Sequence, residues 1–162
     1  MPNQISKQWY KDEYLISTDR SLVDLNAVND AFDSELLWWT KRVPEVALKR
    51  LIDNSLCLGV YKLPQSTADI AGKKGPELVG FARIVTDYAT IGYLADIYVL
   101  PTHQGKGLAP WLMQCLNEIL DEWPDLRRFL LLTSSPQARK LYLLEKRGPA
   151  MPNGPSDEED ED

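Results

Sequence analysis

Hydrophobic and polar positions alternate, or recur at helical spacing, over most of the chain. Glu13–Ser17 (EYLIS) reads as a short first strand. Thr18 or Asp19 is placed to cap a helix over Arg20–Asp33, with Leu22, Leu25, Val28 and Phe32 on one face. A second helical segment runs from Ser34 to Asp53 and is interrupted at Pro44, because the residue before a proline is pushed out of helical geometry. Ser55–Lys62 is strand-like, and the polar stretch Leu63–Pro76 that follows is long for a hairpin loop. Glu77–Thr86 and Ile91–Leu100 are two strands rich in β-branched and aromatic residues, joined by a turn around Asp87–Thr90. Leu108–Trp123 carries Leu112, Cys115, Leu116 and Ile119 at helical spacing and stops at Pro124. Arg128–Thr133 is a continuous apolar run, expected to be a strand buried on both faces. Gln137–Lys146 completes the pattern as a last helix.

That order predicts an α/β (α+β) fold: a mixed sheet with helices on both faces. The 162 residues suit one domain, assigned here to 1–148, with 149–162 as a disordered acidic tail. Asp157–Asp162 (DEEDED) accounts for the whole net charge of −6. A run of like charges is a solvated end. The rest of the chain is near neutral, so no nucleic-acid partner is expected, since phosphate binding needs clustered Lys and Arg. No run of about 18 apolar residues is present, so no membrane span is expected. The N-terminus has no apolar signal core, which makes a cytoplasmic protein the expectation, with the nucleus left open. Cys57 and Cys115 fall in apolar surroundings and read as buried thiols. With one histidine, His103, read as exposed, no metal site is expected.

Chemistry concentrates in Asp96–Ala109, DIYVLPTHQGKGLA. A strand stops at Pro101, and a loop with Gly105 and Gly107 feeds straight into a helix. The unpaired N–H groups of a first helical turn and the helix dipole favour an anion, glycines let the backbone approach it, and Lys106 adds positive charge. The P-loop pattern is absent, and the dinucleotide fingerprint is only half present, because Pro110 stands where its third glycine belongs. Gln104, Gly107 and Ala109 do fit the spacing of Gln/Arg, two residues, Gly, one residue, Gly/Ala, behind Val99 and Pro101.

On those residues, and on GFARIVTDYATIGYLADIYVLP followed by QGKGLAPWLM, the chain resembles the GNAT superfamily of N-acetyltransferases. The resemblance runs from Leu15 to Lys146 in element order and is strong in residues across Leu78–Leu132. It implies acetyl-CoA as acyl donor. The donor diphosphate would lie on Gln104, Gly105, Lys106, Gly107, Leu108 and Ala109, and its pantetheine arm along Ile97, Tyr98 and Val99. It implies direct transfer to a primary amine of a small molecule or a peptide. Asp96, in an otherwise apolar strand, is the candidate proton acceptor, expected on one face with Leu94 and Tyr98; a buried structural carboxylate is the other reading. Tyr142 is the candidate acid for the leaving thiolate, with helix packing as its alternative. Trp38, Tyr93 and Arg83 are candidates for the acceptor wall. The chain departs from the family after Gly148, where PAMPNGPSDEEDED stands in place of a strand hairpin. A sheet lacking that hairpin, a homodimer that supplies the missing edge, and a degenerate domain that binds coenzyme A without catalysis all stay open.

Overall fold

A computed structural model describes residues 5–37, 39–72 and 75–131. Its six strands are β1 (Gln8–Lys11), β2 (Tyr14–Ser17), β3 (Leu56–Lys62), β4 (Glu77–Thr86), β5 (Ile91–Val99) and β6 (Arg128–Leu131). They form one sheet in chain order, antiparallel throughout except for the parallel β5–β6 pair. The helices are α1 (Leu25–Phe32), α2 (Glu45–Asp53), α3 (Thr67–Ala71) and α4 (Leu108–Asp121).

Helices cover both faces, as the pattern predicts. On one face α4 lays Leu112, Leu116 and Ile119 over Ile16, Leu58, Val60 and Ile84. On the other, α1 and α2 bring Val28, Phe32, Leu48 and Ile52 onto Leu15, Cys57, Phe81 and Tyr98. Cys57 and Cys115 are free and buried, and burial pushes both thiols up to about 12. Among the described residues no helix is long and apolar enough to cross a membrane, and no group of His, Cys, Asp and Glu is arranged to hold a metal.

Several elements differ from the sequence pattern for identifiable reasons. β1 was not expected: its residues are mostly exposed and carry no alternation, as suits an edge strand. The helix expected over Arg20–Asp33 is split. A 3-10 turn at Arg20–Leu22 is capped by Asp19, Val23 is extended, and Asp24 Oδ1 then accepts from the Ala27 N–H at 3.1 Å to start α1. Among the described residues between Ser34 and Pro44, only a 3-10 turn at Glu35–Leu37 is helical. The Asn29 side chain explains this: it accepts from the Val43 N–H at 2.9 Å and donates to the Val43 carbonyl at 2.8 Å, holding that backbone away from a helical ladder. The Leu63–Pro76 stretch contains the short α3. β6 is not buried on both faces: Phe129 and Leu131 pack beneath α4, whereas Arg128 and Leu130 are exposed. The final helix, Trp38, Tyr142 and the acidic tail lie outside the described residues.

Gly59, in the middle of β3, is fixed by a close approach. An added Cβ would lie 2.5 Å from the Tyr61 hydroxyl and 2.6 Å from its ring. Tyr61 is only 1% exposed and has nowhere to swing. Gly59→Ala should therefore lower stability by about 1–3 kcal/mol, the usual range for overpacking, as read from the urea midpoint. An unchanged midpoint would mean that the ring can move.

Candidate functional site

β5 delivers the chain to the candidate cradle. Pro101–His103 makes a 3-10 turn, and Gln104 reaches back so that its Nε2 donates to the Val99 carbonyl at 2.9 Å. This ties the loop to the strand end. Gly105 and Gly107 then take left-handed φ values of 78° and 75°, which L side chains adopt only under strain. Gly107 is the N-cap of α4, and Trp111 N–H closes the first helical bond on the Gly107 carbonyl at 3.2 Å. Among the described residues, the N–H groups from Gly105 through Ala109 meet no acceptor. Pro110 ends that run because it has no N–H. A row of unpaired amides at the start of a 14-residue helix favours a nearby anion, and it lies at the residues that the spacing singled out.

The surroundings join residues that the sequence reading named to others that it passed over, Lys11, Tyr14 and Trp111. Lys106 Nζ lies 3.4 Å from the Tyr14 hydroxyl, which is 2.9 Å from His103 Nδ1. His103 is buried, not exposed: the 3-10 turn tucks its ring inward, edge-on to Tyr14 at 5.9 Å. A cleft of about 440 Å³ opens between the β1–β2 turn and α4, lined by Lys11, Tyr14, Lys106, Gly107, Leu108 and Trp111. Tyr14 was within reach of sequence reasoning, since alternation in EYLIS puts it on the α4 face with Ile16.

Upstream, β5 carries a bulge. Arg83 pairs with Asp96 and Ile84 with Leu94, which leaves Ala95 as the extra residue. Asp96 and Leu94 therefore do not share a face, contrary to simple alternation. Leu94 packs under α4, and Tyr98 packs on the α1–α2 side. Asp96 is buried, and its Oδ2 accepts from Arg83 Nε at 2.6 Å. Its Oδ1 makes no hydrogen bond with a described residue. Arg83 also donates through Nη1 to the Ser55 hydroxyl at 3.3 Å. The β5–β6 ladder ends at Leu94↔Leu131. Beyond it, Ile97 and Val99 pack toward α4, and the outer edge of Ala95–Val99 has no described strand beside it. Tyr93, half-buried, sits between Val85 and Leu130 in the register, two strand positions short of the bulge. Of the predicted acceptor residues, the structure brings Arg83 into contact with Asp96 and sets Tyr93 three residues before it on the same strand, while Trp38 lies outside the described residues.

The turn between β4 and β5 is held by Asp87. Its Oδ1 accepts from the N–H groups of Ala89 at 3.0 Å, Thr90 at 2.7 Å and Ile91 at 3.1 Å, and its Oδ2 from the Thr90 hydroxyl. The Thr90 hydroxyl bond, then the backbone bonds, hold the carboxyl well below the usual carboxylate range. A group lowered in the folded state stabilises above its unfolded pKa and loses that contribution as pH falls toward the folded value. Wild type should thus exceed Asp87→Ala in stability most at neutral pH, with the gap narrowing below about pH 4. Urea melts over a pH series would show this, and a gap independent of pH would contradict it.

The described residues thus combine a mixed sheet, a bulged fifth strand, a glycine turn and an amide-lined helix start. The family model described as "Acetyltransferase (GNAT) family" matches residues 25–148. A Gibberella zeae protein named "Putative acetyltransferase FG08082" is 39% identical over 146 residues, covering 86% of this chain and 80% of its own length. A crystal structure of a GNAT-family protein from Xanthomonas campestris pv. campestris superposes with a TM-score of 0.66 at 33% identity, covering 85% of this chain and 86% of that one. A spermidine N-acetyltransferase SpeG chimera from Vibrio cholerae, at 18% identity and TM-score 0.57 over 83% of this chain and 80% of that one, shares the fold. The chain belongs to the GNAT acetyltransferase family.

Proposed function

We propose that this protein transfers an acetyl group from acetyl-CoA to a primary amine of a small molecule or peptide. The observation that carries this reading is the run of unpaired amides from Gly105 to Ala109, set where the edge of β5 that has no described strand beside it runs into α4. Those amides and Lys106 suit a diphosphate, and the edge of Ala95–Val99 suits an extended arm with amide groups of its own. A thioester at the end of such an arm lies near the Ala95 bulge, beside Asp96.

Transfer requires a neutral amine. Its nitrogen attacks the thioester carbonyl carbon, the C–N bond forms, the C–S bond breaks, and the electron pair leaves with sulfur. The amine loses one proton and the thiolate gains one. Asp96 Oδ1 takes the first proton in this reading, directly or through a water, while Oδ2 is held by Arg83. Tyr142 is the assigned donor for the second.

Thiol release from acetyl-CoA over a panel of amines tests the reading. Release that depends on the amine, with N-acetylated product by mass, is the expected result. Coenzyme A binding without amine-dependent release would favour a non-catalytic coenzyme A binder, and no binding at all would overturn the assignment.

A further inference from the structure

Two arginines converge on one residue beside the candidate reaction centre. Arg20 donates through Nε and Nη2 to the Ser55 carbonyl at 3.1 and 2.9 Å, and Nη2 also reaches the Tyr88 hydroxyl at 2.6 Å. Arg83 holds the hydroxyl of the same serine and Asp96. Two guanidinium groups that bond one serine favour an anion beside them. Asp96 is the carboxylate that contacts this pair among the described residues. The neighbouring Asp19 turns its Oδ1 to the Ser21 N–H and hydroxyl, and Asp53 pairs with Lys49. Arg83 is therefore paired with a carboxylate, while Arg20, an exposed side chain, bonds only to neutral acceptors among the described residues.

The remaining donors point to what would neutralise Arg20. Among the described residues, Nη1 of Arg20 and Nη2 of Arg83 form no hydrogen bond. Each guanidinium is already locked by its other nitrogens, so a planar anion meets fixed donors and little side-chain entropy is lost. Tyr88 is itself held at a φ of 62°, with its ring edge-on to Trp123 at 6.0 Å. The sheet face beside the pair is apolar and open: Val85 is 45% exposed and Leu130 46%, flanking Tyr93.

We propose that Arg20 and Arg83 bind a carboxylate of the acceptor, so that the preferred substrate is an amine that also carries a carboxylate and an apolar body. This rests on the acyl-transfer reading above and names its substrate class. A second recess, lined by Asp24, Asp30, Glu35 and Glu77, is acidic and would suit a polyamine instead. Two of its carboxylates are engaged, Asp24 as the cap of α1 and Asp30 with Arg42.

The test compares leucine with leucinamide, phenylalanine with phenylalaninamide, and 6-aminohexanoate with hexylamine and 1,6-diaminohexane, on the full chain with acetyl-CoA. The carboxylate member should have the higher kcat/KM by about tenfold or more, the worth of one charge-assisted pair. Arg20→Gln should collapse that ratio toward one, mainly through KM, and Arg20→Lys should keep part of it. Equal rates within pairs, a preference for the diamine, or an undiminished ratio in Arg20→Gln would overturn the proposal. A second readout does not need turnover: calorimetric binding of N-acetylleucine, with coenzyme A present, should weaken about tenfold in Arg20→Gln. If no amine is turned over but this Arg20-dependent binding is seen, the transfer reading falls and the carboxylate site stands. If N-acetylleucine does not bind, or binds the variant equally, the carboxylate site falls.

Discussion

Gly107→Trp is expected to abolish measurable acetyl-CoA binding while leaving a folded protein. The reason is local. Gly107 has φ 75° and caps α4, and no atom lies within 4 Å of where its Cβ would be. A side chain is therefore not excluded by the protein's own packing. It is excluded by conformation, at about 1–3 kcal/mol for a left-handed non-glycine residue, and by the ligand, whose place an indole would occupy. Loss of all five free amides as a seat should push affinity out of the range of calorimetry. A thermal melt separates this from unfolding. Retained affinity would mean that the donor lies elsewhere.

The cradle was legible in the sequence because its physics is local. Glycines at two offsets, a proline that ends a strand, and a helix that begins at once leave few other conformations. The order of the elements from β3 to α4 was legible for a similar reason, since β3, β4 and β5 are long and largely buried. Positions set by distant contacts were not legible. The bulge at Ala95 is invisible in the alternation of LADIYV, yet it moves Leu94 to the opposite face from Asp96. The break in the segment after α1 depends on Asn29 gripping Val43, fourteen residues away. Arg20 and Ser55 carry no motif, and only the pairing of β3 with both β2 and β4 brings them together with Arg83. His103 looked exposed because a loop histidine next to glycines usually is; the Tyr14 hydroxyl, from β2, holds it inside.

The second large effect concerns the Arg83–Asp96 pair. Its side chains are 18% and 6% exposed, so neither charge is well hydrated. Arg83→Met leaves Asp96 buried without its cation and should cost about 3–5 kcal/mol, the range for breaking a buried pair from one side. The double variant Arg83→Met/Asp96→Leu removes both charges and should recover most of that loss, because an apolar pair of similar volume carries no desolvation penalty. Urea midpoints of the three proteins read this directly. A single variant within about 1 kcal/mol of wild type would show that water reaches Asp96 and that the pair behaves as a surface bridge.

The account turns on where a diphosphate sits. Titration of the isotope-labelled protein with coenzyme A, followed by the backbone amide resonances, measures that. The expected result is large, saturable shifts at Gly105, Lys106, Gly107, Leu108 and Ala109, with smaller ones along Ile97–Val99. Saturable binding that leaves those five amides unmoved would contradict it.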